Sequence, residues 1–152
     1  RPDLTVMGAF SGLEIACWDI LGKDRGRPVH ALIGGRLNEK IRAYTYLYPQ
    51  KHHPLPDFWA SADMAANAAV NLVEKGYTAV KFDPAGPYTI RAGHMPSLHD
   101  IETSIAFCHK IRDAVGPRAD LLIGTHGQFS TGGAIRMGQA VEQFSPLWYE
   151  EP

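Results

Sequence analysis

Four short runs rich in β-branched and aromatic residues, 41–48, 76–84, 120–126 and 146–152, alternate along this chain with three stretches whose apolar residues recur at helical spacing. That βαβαβαβ order restricts the fold more than any other feature. A strand, a crossover helix and a second strand make a parallel pair with a right-handed connection, so the chain is expected to build a parallel α/β sheet. A barrel and a doubly wound sheet both satisfy the pattern. The first helix spans 57–75 through Met64, Ala65, Ala68, Ala69, Leu72 and Val73 and stops at Gly76. The second spans 100–115 through Ile101, Ile105, Cys108 and Ile111, and the third follows a cap at Ser130 or Thr131. Ahead of the first strand, residues 11–23 place Ile15, Trp18 and Leu21 at helical spacing, with Ser11 as candidate cap, and Pro28 opens a short second helix that ends at Gly34 and Gly35. The chain therefore divides into a helical segment, 1–38, and a βα segment, 39–152.

The strand ends carry the chemistry. Alternation along residues 76–84 puts Lys81 and Asp83 on one side and Val80 and Phe82 on the other. A charge inside an apolar strand has to pair or work, because stripping water from an ammonium costs several kcal/mol. The other three ends read Tyr46 and Tyr48, then His126, then Glu150 and Glu151. In a barrel, functional side chains gather at the C-terminal ends of strands, whereas the interior of a parallel sheet is apolar. No GxGxxG follows a strand and no P-loop is present, so the nucleotide-binding versions of the doubly wound fold lose support. The segment 85–99 is longer than an ordinary βα connection and belongs to the class of loops that carry function.

Composition excludes several partners. Fifteen Lys and Arg against sixteen Asp and Glu leave a formal net charge of −1, with no basic block, so nucleic acid is not an expected partner. No run of eighteen apolar residues stands uninterrupted and the first residues are unlike a signal peptide, so no membrane partner is expected and the cytoplasm is the default compartment. Cys17 and Cys108 have neither CxxC nor metal-type spacing, and both read as reduced core residues.

With those residues in place, the chain resembles the mandelate racemase and muconate lactonizing enzyme family of the enolase superfamily. Residues 11–35, with Glu14, Trp18-Asp19 and Gly34-Gly35, are similar to the end of that family's capping domain. Trp148-Tyr149-Glu150-Glu151-Pro152 is similar to its fourth-strand motif, and the Lys81 strand to its second-strand Lys-x-Lys motif. The stretches from Lys81 to Tyr88 and from Gly124 to Gln128 are closest to the sugar-acid members, of D-galactaro-lactone cycloisomerase and galactonate dehydratase type. The resemblance implies a (β/α)8-type (TIM-like) barrel of which residues 39–152 form about the first half, preceded by the C-terminal part of a capping domain in 1–38. It also implies a parent chain that continues through the remaining ligands and the acid-side histidine. Mg²⁺ as cofactor, a small-molecule sugar acid or its lactone as substrate, and a homo-oligomeric assembly follow as expectations.

Carried onto this sequence, the resemblance makes Lys81 the base beside the substrate carboxylate and Glu150 a metal ligand. Two departures stand out. Asp83 occupies the place of the second lysine, and Gly124 occupies that of the first metal-ligating aspartate. His126, two residues on, either replaces that ligand or matches an acid histidine of some dehydratases. Tyr46, Asp83, Tyr88 and His94 are candidate substrate-binding residues, with barrel packing the competing reading for Tyr46 and a solvated loop position that for His94.

Removing the proton beside a carboxylate builds negative charge that a divalent cation stabilises, and a lysine used as the base works with its pKa lowered from about 10.4 towards roughly 7 to 8. Loss of a β-hydroxyl from the resulting enediolate makes a dehydratase, loss of a lactone ring oxygen a cycloisomerase, and reprotonation a racemase or epimerase. A non-catalytic, metal-free relative and an unrelated doubly wound binding domain are the rival readings.

Overall fold

The computed structural model describes residues 3–49, 54–84 and 93–152. They form two compact units, divided between Arg42 and Ala43. In the first, α1 spans Leu4–Arg25, longer at both ends than the sequence pattern predicts. The difference arises at Asp3, whose carboxylate accepts the Thr5 amide at 2.7 Å and caps the helix a full turn and more before Ser11. The helix ends at Gly26, which takes the left-handed conformation (φ 59°) and bonds back to Gly22 and Lys23. After Pro28, α2 is the single turn Val29–Leu32.

The surface of α1 departs from expectation. Leu4, Phe10, Leu13, Ile15 and Ile20 are all exposed, and so is Cys17, which is not a core residue within this unit. By length and composition α1 could cross a membrane. Glu14 and Asp19 oppose that reading, since an acidic residue near the centre of a membrane helix costs roughly 2.5 to 3.5 kcal/mol. Glu14 accepts a hydrogen bond from Trp18 Nε1, and Asp19 pairs with Lys23.

The second unit holds four parallel strands, β1 (Thr45–Tyr46), β2 (Ala79–Phe82), β3 (Asp120–Gly124) and β4 (Trp148–Glu150), in spatial order β1-β2-β3-β4. Between them come α3 (Leu55–Ala60), α4 (Ala62–Glu74), α5 (Leu98–Val115) and α6 (Thr131–Val141). The strand order decides between the two architectures left open by the sequence. A doubly wound sheet reverses direction at a switch point and buries both faces under helices. Here the order is strictly sequential, and right-handed crossovers in one direction put every helix on the same side. The core confirms it: Val80, Phe82, Leu121 and Ile123 of the sheet pack with Ala65 and Ala69 of α4, Cys108 and Ile111 of α5, and Met137 and Val141 of α6. This is the βα arrangement of a barrel wall, with the opposite face turned inward.

Three local differences have physical causes. The expected helix 57–75 is two helices, because Ser61 adopts an extended conformation and its hydroxyl caps α4 at the Met64 amide. The expected helix from Asp100 begins at Leu98. Ser97 and Asp100 form a reciprocal capping box, with the Asp100 carboxylate reaching back to the Ser97 amide at 2.9 Å. The first strand is only two residues long, where it registers against Val80 and Lys81. At the other edge of the sheet, a groove of about 670 Å³ runs beside β4, lined by Ile135, Gly138, Val141, Pro146 and Tyr149 among others.

Candidate active site

Parallel register sorts the inward side chains into layers. Tyr46, Lys81, Leu122 and Trp148 are cross-strand partners in one layer, and Gly124 and Glu150 are partners in the next, level with Asp83 just past the end of β2. Lys81 is 7% exposed and Asp83 4%, as deeply covered as the apolar core. Both require partners, and both have them.

Lys81 Nζ donates to Glu150 Oε1 at 2.5 Å. The two residues stand on β2 and β4, so the lysine reaches across β3, and it does so over Gly124, the position with no side chain to block it. The rings of Tyr46 and Tyr44 flank the ammonium, with centroids 5.4 and 6.0 Å away, a favourable cation–π environment. Around Asp83, Tyr46 OH donates to Oδ1 and His126 Nε2 lies 3.0 Å from Oδ2. Burial, and then the hydrogen bond to Asp83, push the Tyr46 phenol well above its ordinary range, so it remains protonated and a donor.

His126 sits in the left-handed region (φ 56°), a conformation that costs a non-glycine residue of order 1 kcal/mol or more. The ends of β3 and β4 hold it there. Buried Thr125 donates its amide to Glu150 O at 3.1 Å and shares its single hydroxyl proton between the Glu150 and Glu151 carbonyls, each 2.9 Å away, and the Gly127 amide donates to Glu151 O at 2.6 Å. Thr125 is a positioning residue that the sequence reading missed; its only signal was a hydroxyl directly after a strand end. Gly124 was read for the ligand it lacks, whereas its structural part is the space it leaves.

Five of the sequence candidates, Tyr46, Lys81, Asp83, His126 and Glu150, thus meet at the C-terminal ends of the strands. His94 lies elsewhere: it bridges to Phe129, its ring stacks edge-on against that phenyl at 5.3 Å, and its buried Nδ1 has no partner among the described residues. Tyr88 lies outside the described residues.

The cluster carries two carboxylates, one ammonium and one imidazole; Lys81 and Asp83 are buried, while Glu150 and His126 keep about a third of their side-chain surface in solvent. Among the described residues no group of three or more His, Cys, Asp or Glu side chains is placed to hold a metal ion. Mg²⁺ asks for less. It is ordinarily held through one or two carboxylates while keeping several waters, and the hard oxygens of Glu150 and Asp83 suit it. The donor chemistry fits a divalent cation.

The chain is 40% identical over 144 residues to a D-gluconate/D-galactonate dehydratase of Picrophilus torridus, covering 95% of this chain and 34% of the relative. It is 29% identical over 147 residues to a D-galactarolactone cycloisomerase of Agrobacterium fabrum, covering 95% and 33%. The chain spans about a third of the length of these relatives. A crystal structure of a mandelate racemase/muconate lactonizing enzyme from Sulfitobacter sp. matches with TM-score 0.90 and 70% identity, covering all of this chain and 38% of that one. A mandelate racemase/muconate lactonizing enzyme-like protein from Roseovarius sp. TM1035 matches with the same TM-score, 72% identity and the same coverage. The model of the family described as enolase C-terminal domain-like matches residues 63–152, which take in β2 to β4 and most of the polar cluster, and the chain belongs to that family.

Proposed function

We propose that the full-length protein removes the proton alpha to the carboxylate of a sugar acid or its lactone and completes the reaction by β-elimination, as an acid-sugar dehydratase or a lactone cycloisomerase. The observation that carries this reading is the buried Lys81 ammonium brought onto Glu150 at the mouth of the strands. Mg²⁺ held by Glu150 would offset the charge that develops on the substrate carboxylate. Lys81, once released from Glu150, takes the α-proton. His126, held at the same rim, donates a proton to a departing β-hydroxyl; a lactone ring oxygen leaves as a carboxylate and needs little such help. Tyr46 binds substrate hydroxyls. The dehydratase and cycloisomerase names of the relatives support this class of reaction, and reprotonation without elimination is the racemase alternative.

In the full-length protein, Lys81→Ala should lower turnover of the active sugar acid by about 10² to 10⁴-fold while Mg²⁺ binding persists. The substrate is found by screening hexarates, aldonates and their lactones with and without Mg²⁺. Retained turnover in Lys81→Ala would end the proposal. One observation favours a second reading, a metal-free relative: the Lys81–Glu150 pair satisfies both charges by itself. A full-length protein that takes up neither Mg²⁺ nor Mn²⁺ would select it.

A further inference from the structure

The ends of β2 and β3 exclude one another. A Cβ on Gly124 would stand 2.7 Å from Asp83 Oδ1, closer than real Cβ contacts come, and 3.1 Å from both Lys81 Cε and Tyr46 OH. The volume into which a side chain at position 124 would grow is filled by the carboxylate of residue 83. We infer that Asp83 and Gly124 are a single exchange, in which a carboxylate expected from the end of β3 arrives instead from the end of β2, and that Asp83 joins Glu150 as a protein ligand of the divalent cation. The inference rests on the metal-dependent reading above.

Three observations converge on Asp83. Asp83 is 4% exposed; its hydrogen-bond partners are a phenol and the His126 imidazole, the latter an ion-pair partner when protonated, while the nearby ammonium is engaged by Glu150. A titratable imidazole is a weaker charge partner than a fixed cation, and a covered carboxylate gains from the latter. Its oxygens each accept one of these hydrogen bonds, and a carboxylate offers about four lone-pair sites, so each oxygen retains capacity for a metal. Its hard oxygen also suits Mg²⁺, whereas imidazole suits later transition metals. His126 and Tyr46 then act on Asp83 as the donors that fix a ligating carboxylate do. The reversal of charge at position 83 and the lost carboxylate at position 124 become one change.

The test is Mn²⁺ binding to the full-length protein, followed by electron paramagnetic resonance of the free ion, with circular dichroism to check folding. Asp83→Asn keeps the shape and removes the charge; it should weaken Mn²⁺ binding by about 100-fold or more, beyond what loss of a supporting partner alone produces. Gly124→Asp, forced against Asp83, should weaken it too. Asp83→Ala/Gly124→Asp returns the carboxylate to β3 with its main obstacle removed. Its remaining close neighbours are Lys81 Cε and Tyr46 OH, far ends of side chains that can shift by a few tenths of an ångström. This double variant should recover binding to within about tenfold of wild type, a recovery that lost folding or lost hydrogen bonding at Asp83 would not produce. Wild-type affinity in Asp83→Asn, even with reduced turnover, would overturn the assignment and leave Asp83 only a support for His126. A double variant no better than Gly124→Asp would overturn it as well. A wild-type protein that takes up no Mn²⁺ would instead bring down the metal-dependent reading itself.

Discussion

The two faces of β2 are equally buried and built on opposite principles. Val80 and Phe82 point outward into a helix-covered apolar core, at 0% and 1% exposure. Lys81 and Asp83 point inward, scarcely more exposed, and meet the Glu150 carboxylate, the His126 imidazole and the Tyr46 phenol. Burial by itself therefore says nothing about what a residue contributes. On the outer face it removes apolar area from water, worth roughly 1.5 to 3 kcal/mol for a large side chain. On the inner face it desolvates charges at a cost that their mutual attraction offsets only in part. The chemistry proposed above gives those groups a reason to be held there at that cost.

The comparison predicts its own largest effect on the outer face. Phe82→Ala should destabilise the protein by about 3 to 5 kcal/mol, since the cavity lies in the packed layer between β2 and its helices. Because the phenyl faces away from Lys81 and Asp83, the protein that remains folded should bind metal as wild type does. Denaturant titration measures the first quantity and metal titration below the transition the second. Impaired metal binding in folded protein would mean that the two faces are not independent.

The complementary substitution reverses the pattern. Lys81→Met/Glu150→Gln removes the ion pair from both sides and leaves no charge stranded, so its stability should lie within about 1 kcal/mol of wild type or above it, while turnover disappears. A loss as large as that of Phe82→Ala would show that the pair is structural, and the division between the faces would fail.

What the sequence makes legible follows the same division. Period-two alternation in residues 76–84 separates Lys81 and Asp83 from Val80 and Phe82 because it is a local property of extended chain. The βα order likewise implies a parallel sheet. Closure as a barrel wall instead of an open doubly wound sheet depends on strand order, a relation between residues as distant as Thr45 and Glu150, and no local pattern carries it. Gly124 shows the same limit on a smaller scale: a glycine in sequence is a missing side chain, and only the approach of Asp83 reveals what fills the space. Caps fall between these cases. The spacing of Ser97 and Asp100 was present in the sequence but lay next to a longer apolar periodicity that drew the helix start to Asp100.

That cap provides the finest test, because it is part of the outer, stabilising layer and yet depends on a charge. The Ser97 hydroxyl, and then the Ser97 amide, hold the Asp100 carboxyl below its ordinary range. A group whose pKa is lowered by folding stabilises the folded state at pH above its unfolded value, about 3.9, and loses that contribution as pH falls through the lower folded value. Asp100 is half-buried at the helix end and still meets solvent, so screening limits the effect to a few tenths of a kcal/mol. Asp100→Asn should therefore accelerate amide exchange in the first turn of α5 slightly at pH 7, and the difference from wild type should vanish once the pH falls below that folded value. A difference that persisted unchanged at low pH would mean that the box acts through shape alone. Electrostatics would then be confined to the inner face, and the contrast between the two layers would be sharper than the capping geometry suggests.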